Sequence, residues 1–207
     1  MEGRRERKKQ QTRQAISDVA TTLFLERGFD AVTVAEVARA ADVAVQTVFN
    51  HFPAKEDLFF DEDGWWTGPA RVIREAADGA DPVDLLEAYY LAELRERLEA
   101  GHLATWKQFV RTIEDSPALL ARRRLNAAEM ETLLTEALEE RNPDHLRSRL
   151  IAAQFGAAQK VLEEELMRLL PDEPSAGRLK QVQDELEQTA AQVFDVLRHG
   201  CLTATAD

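Results

Sequence analysis

Sulfur is scarce in this chain of 207 residues, which has one cysteine, Cys201, and three methionines. A single thiol excludes an internal disulfide and fits a reducing compartment, so a cytoplasmic location is expected. The four histidines are scattered, with no cysteine or carboxylate at ligand spacing, so neither a metal site nor a cofactor is expected. No apolar run approaches the roughly 18 residues that span a bilayer. The basic N-terminus MEGRRERKKQQTRQ leads into no apolar signal core, and no membrane partner is expected. No Ser/His/Asp or Cys/His set is indicated and no phosphate loop appears, which argues against an enzyme. Strand-like alternation of β-branched residues is missing as well.

What remains is a helix-rich sequence, with 44% hydrophobic and 31% charged residues. Apolar residues at three- and four-residue steps, bounded by Gly28, Pro53, Gly101 and Gly200, predict helices over 7–27, 34–41 and 45–51. A fourth starts near 55 and runs towards 77 with an interruption around 64–69. Five more cover 83–99, 102–114, 117–140, 144–170 and 176–199. Pro82, Pro117 and Pro143 sit near helix starts, where a missing amide costs little. The expectation is an all-α protein of about nine helices. Trp65-Trp66 before Thr-Gly-Pro suits either a hinge or a kinked corner.

Charge is unevenly placed. The net charge of −12 divides into zero over residues 1–57, with nine basic and nine acidic residues, and −12 over 58–207. Residues 1–13 alone carry +4. A polyanion is attracted to one end and repelled by the rest. The run Arg4-Arg5-x-Arg7-Lys8-Lys9 suits a minor-groove arm or a solvated tail. Arg122-Arg123-Arg124, on a glutamate-rich segment, reads as salt-bridged surface.

The most informative segment is TVAEVARAADVAVQTVFNHFPAKEDL, residues 33–58. Thr33-x-x-Glu36 has the form of a capping box. Val34, Val37 and Ala38 follow at helical spacing, Ala41-Asp42-Val43 interrupts, Val48 and Phe52 resume, and Pro53 ends the pattern. Two short helices around a tight turn make a helix-turn-helix, whose second helix enters the DNA major groove. With Val43, Val48 and Phe52 inward, Val45, Gln46, Phe49 and Asn50 form the other side. Gln46 and Asn50 can pair with adenine edges, and Val45 can press on a thymine methyl.

Thr33-x-x-Glu-Val-Ala, Val43 and Thr47-Val-Phe-x-His-Phe-x-x-Lys-x-x-Leu58 resemble the DNA-binding signature of the tetracycline-repressor (TetR) family. Ile16, Ala20, Leu23, Phe24, Gly28 and Phe29 match its first helix, so the resemblance covers about residues 10–60. Three positions depart: Asp42 stands for a turn glycine, Ala44 for a serine-like cap, and Phe49 for a phosphate-touching tyrosine. The resemblance implies that Thr47, His51 and Lys55 touch phosphates, and that Thr33 offers nearby backbone amides. It further implies a DNA-binding domain over 1–54 and a helical effector-binding and dimerisation domain over 55–207.

In such a family the ligand cavity falls among the middle helices. Tyr89, Tyr90, Trp106, Phe109 and Phe155 are the candidate lining, with Glu93, Gln108 and Gln154 as polar contacts; the alternative is ordinary core. For assembly, Leu186, Ala190, Val193 and Leu197 on the last helix, and Leu150, Gly156, Ala157 and Val161 on the one before, are the candidate interface. Those faces could instead only cover the monomer core. The expected function is a homodimeric regulator, acting as a repressor released from a near-palindromic operator by a partly apolar or aromatic small molecule. The alternative is an effector-independent regulator or activator of the same fold.

Overall fold

A computed structural model describes residues 2–60, 66–99, 102–170 and 175–200. Every regular element among them is a helix, and the fold is all-α. The ten helices are α1 (Glu2–Arg27), α2 (Val34–Ala40), α3 (Val45–His51), α4 (Lys55–Phe59), α5 (Gly68–Glu75), α6 (Pro82–Leu98), α7 (His102–Glu114), α8 (Pro117–Arg141), α9 (His145–Leu169) and α10 (Ala176–His199). The tenth arises because the interrupted fourth segment is two helices, α4 and α5. Trp66-Thr67 form a turn ahead of α5, while Trp65 and Cys201 lie outside the described residues. None of the described helices is long and apolar enough to cross a membrane.

The chain divides into two compact units. One comprises Met1–Asp63 and Thr105–Arg124, the other Gly64–Ala104 and Leu125–Asp207. The unit that holds the helix-turn-helix is therefore larger than the 1–54 segment expected for it.

In the first unit α1 ends at Gly28, whose φ of 84° is open to glycine and strained for most other residues. Ile16, Ala20 and Phe24 of α1 are buried with Phe29, Val37, Val48, Phe52 and Leu58. Phe59 stacks on Phe109 at 4.5 Å between ring centroids and meets Phe24, Phe29 and Phe60 at tilted or edge-on angles. Each fully buried ring of this kind is worth roughly 1.5–3 kcal/mol. Residues 105–124 are tied in by the Ser116 hydroxyl, which donates to Asp30 at 2.9 Å, and by Gln108, which donates to the Leu25 carbonyl.

In the second unit α10 packs on α6 and α9, and α5 on α6. Leu86, Tyr90 and Leu94 of α6, Ala152, Phe155 and Leu162 of α9, and Val182, Leu186, Ala190 and Phe194 of α10 fill the core. Gly68 opens α5 against the Tyr89 hydroxyl, and a Cβ at that position would collide with it. Arg141 closes the other end of α5 by donating to the carbonyls of Ile73, Ala76 and Ala77. Arg198 grips Asp84 and Glu87, which fastens α10 to α6.

Candidate nucleic-acid interface

The helix-turn-helix is assembled by local chemistry. Thr33 Oγ1 accepts from the Glu36 amide at 3.2 Å, and Glu36 accepts from the Thr33 amide at 2.8 Å, so two of the amide donors at the start of α2 are used. Arg27 adds an ion pair at 2.8 Å. The Thr33 amide, the Arg27 guanidinium and the Thr33 hydroxyl together pull the Glu36 carboxyl down to a pKa of about 2. At the far end the Val43 amide donates to Ala38 and the Asp42 amide to Arg39, the paired bonds of a Schellman turn. Asp42 sits at its left-handed position with φ 53°, where the family glycine was expected. Ala44 precedes α3 without a side-chain cap, as its missing oxygen requires.

This turn sets the face of α3. Val48 and Phe52 are buried, while Gln46 and Asn50 are exposed and joined by a 3.2 Å hydrogen bond. Val45 and Phe49 are 41% and 43% exposed. The four residues thus form one outward row. Thr47 and His51 flank it, half-buried. The His51 carbonyl accepts from Arg13 at 2.7 Å, and the same guanidinium lies 4.3 Å above the Phe52 ring, so α1 holds the end of α3.

Lys55 sits differently from an outward phosphate ligand. Its ammonium donates to the Phe29 carbonyl at 2.6 Å and lies 4.1 Å above the Phe29 ring. Burial lowers its pKa, against the pull of Asp30, Glu56 and Glu36. In the Arg122–Arg124 run, expected as salt-bridged surface, Arg124 is exposed and Arg122 is salt-bridged, though to an unexpected partner. Arg122 reaches Asp57 of α4 at 2.8 Å rather than a glutamate of its own helix.

The sequence profile for bacterial regulatory proteins of the tetR family matches residues 16–61, the segment that builds this row. The HTH-type transcriptional regulator TcmR of Streptomyces glaucescens is 30% identical over 180 residues, 79% of this chain and 76% of that protein. The chain belongs to the TetR family. Its members are DNA-binding transcriptional regulators and not enzymes. A second relative of this TetR-family regulator, the HTH-type transcriptional repressor KstR2 of Rhodococcus jostii (strain RHA1), is 34% identical over 99 residues, 44% of this chain and 46% of that protein. Among solved structures, NalD of Pseudomonas aeruginosa, the secondary repressor of the MexAB-OprM multidrug efflux pump, matches with a TM-score of 0.59. At 21% identity, over 90% of this chain and 96% of that one, the likeness is one of fold.

The residues expected around an effector divide between the two units of this TetR-family regulator. Trp106 and Phe109 belong to the first unit, where Phe109 is spent on Phe59 and Phe60. Tyr89, Tyr90, Glu93, Gln154 and Phe155 belong to the second. Phe155 is fully buried, with Phe194 at 6.3 Å, and Tyr90 meets the same ring at 6.2 Å. Burial pushes both Tyr89 and Tyr90 up to about 12. Glu93 pairs with Arg97 at 3.5 Å. Gln154 is exposed although its neighbour Phe155 is buried, since consecutive helical residues point about 100° apart.

The candidate interface residues also divide. Leu150 and Val161 of α9 are 53% and 47% exposed, and Ala157 lies between them on the same face. Gly156, half-buried, turns towards α8, where Met130 and Glu131 approach it. Leu186 and Ala190 of α10 have no exposed surface in the single chain, so they have none left to bury against a second copy. Val193 and Leu197 are half-buried. One residue that sequence reasoning passed over is Asn126 on α8, fully buried with both amide atoms unpartnered among the described residues.

Proposed function

We propose that this regulator is a homodimeric repressor that leaves a near-palindromic operator when a small, partly apolar or aromatic molecule binds the helical region that follows its reading head. The carrying observation is the outward row Val45, Gln46, Phe49 and Asn50, which α3 presents while Val48 and Phe52 anchor it from behind. In this reading Gln46 and Asn50 read base edges, Val45 and Phe49 press on methyl and sugar surface, and Thr47 and His51 approach phosphates. Residues 1–54 act as the reading head and 55–207 bind the effector and the second copy. The apolar stripe Leu146, Leu150, Ala157 and Val161 on α9, with Val193 and Leu197 of α10, supports pairing through the last two helices. Repression is carried over from KstR2, which is named a repressor, and effector release from the family resemblance of the sequence. Release works by differential binding, the effector favouring the state whose paired heads no longer match successive major grooves.

The test is selection of bound duplexes from a random pool. The expected product is an inverted repeat with half-sites about one or more turns, ~10 bp each, apart. Asn50→Ala should relax preference at one position per half-site. Enrichment of single, unrepeated sites would refute the dimeric reading. Promoter activation by the protein in a reporter assay would refute repression, and a response no small molecule alters would refute the effector.

A further inference from the structure

Asn126 is left unexplained by the packing around it. It stands one turn before Met130 and two before Leu134 on α8, in a stripe that Ala137 continues, and those three are buried apolar residues. Its own surface is wholly buried, and neither Nδ2 nor Oδ1 has a hydrogen-bond partner among the described residues. A primary amide offers two donors and two acceptor lone pairs, and leaving them unmade in the interior costs stability. Asparagine is also a poorer helix former than leucine, which would fill the stripe without either penalty. The same stretch of α8 meets α9 at Gly156, where a Cβ would lie 3.6 Å from Met130 Cε and 3.0 Å from Glu131 Oε1. Asn126 thus stands one turn before the residues of α8 that meet α9.

We propose that Asn126 is the polar recognition group of the effector site, and that it selects an uncharged ligand segment carrying an acceptor and a donor side by side. The simplest such segment is a lactam. Its carbonyl accepts from Nδ2 while its N–H donates to Oδ1, which satisfies both orphan atoms at once. A carboxylate or an ammonium is selected against, because the amide supplies no counter-charge for a group that must shed its water. Sites that hold buried polar groups for a ligand reject analogues that leave those groups unpaired far more strongly than apolar pockets reject a missing methylene. The inference rests on the second unit being the effector-binding one.

The experiment uses the full chain and two probes, 2-quinolone and N-methyl-2-quinolone, which keeps the carbonyl and loses the donor. Isothermal titration should show 2-quinolone binding at least roughly tenfold tighter, the equivalent of about 1.4 kcal/mol. Asn126→Leu should remove that preference and raise the melting temperature, since an unsatisfied amide has gone. As a check that needs no variant fold, the side-chain amide signal of Asn126 in the wild-type protein should shift with 2-quinolone and stay put with its N-methyl analogue. Three results overturn the inference: no binding of 2-quinolone, a preference that survives Asn126→Leu, or a lowered melting temperature in that variant. The last would mean that a buried water already satisfies the amide. Operator release by a compound indifferent to Asn126 would leave the proposed function standing, so the two readings fail separately.

Discussion

Replacing Lys55 by methionine separates two roles that a cation at this position could have. The structure makes it an internal strut: one ammonium hydrogen goes to the Phe29 carbonyl at 2.6 Å, and the charge rests 4.1 Å above the Phe29 ring and 5.7 Å from the Phe24 ring. A hydrogen bond to a charged group is worth about 1.5–3 kcal/mol. The cation–π contact adds about 0.5–1 kcal/mol at a partly exposed site. Part of this is recovered in Lys55→Met, because the desolvation that lowers the lysine pKa disappears and the Phe29 carbonyl keeps its weaker 3.3 Å bond from Val32. The net loss is about 1–3 kcal/mol, or a melting temperature lower by about 2–12 °C for a chain of this size. Operator titrations across a salt series give the second readout. A phosphate contact from each subunit would contribute about 0.9 to the log–log slope, so losing two would reduce it by about 1.8. The strut predicts an unchanged slope. An unchanged melting temperature with a slope reduced by about 1.8 would refute the reasoning and return Lys55 to the phosphate backbone.

Phe49→Tyr should tighten operator binding, by about 0.5–1.5 kcal/mol per subunit if its new hydroxyl reaches a phosphate; weaker binding in a gel-shift titration would show that the ring meets a base instead. Glu36, held near pKa 2 against an ordinary 4.5, contributes stability that is fully present above pH 4.5 and lost as pH falls towards 2. Glu36→Gln should therefore flatten the acid limb of stability in that window, and identical limbs for the two proteins would discount the capping box. Leu150→Glu, on the exposed face of α9, should give a folded monomer by sedimentation, whereas Leu186→Glu should fail to fold because it buries a charge without a partner. A dimeric Leu150→Glu would move the interface elsewhere.

The helix-turn-helix was legible because its determinants are local. Thr33 and Glu36 are three residues apart, Pro53 ends the segment, and the bounds of α3 coincide with the expected 45–51. Partnership across the fold was not legible in the same way. Periodicity shows that α10 has an apolar stripe, but Leu186 and Ala190 share it with Val182 and Phe194 and are covered by α6 and α9. The type of Lys55 reveals a cation, while its aim at Phe29 depends on a corner 26 residues away. Arg122 looked like surface because its partner, Asp57, lies on a different helix. The buried position of Asn126 could have been inferred, since Met130, Leu134 and Ala137 follow it at helical spacing. That its amide would be left unpaired could not.

The division of labour on α3 has a bearing on how such a protein diversifies. Of its seven residues only Val48 is buried, and the turn before it and the Arg13 grip after it depend on none of Val45, Gln46, Phe49 or Asn50. Those four side chains can be exchanged at little risk to folding. A duplicated copy could therefore drift to a new target sequence through intermediates that all remain foldable, and a laboratory library randomised at the same four positions should be rich in folded members from which new specificities can be drawn.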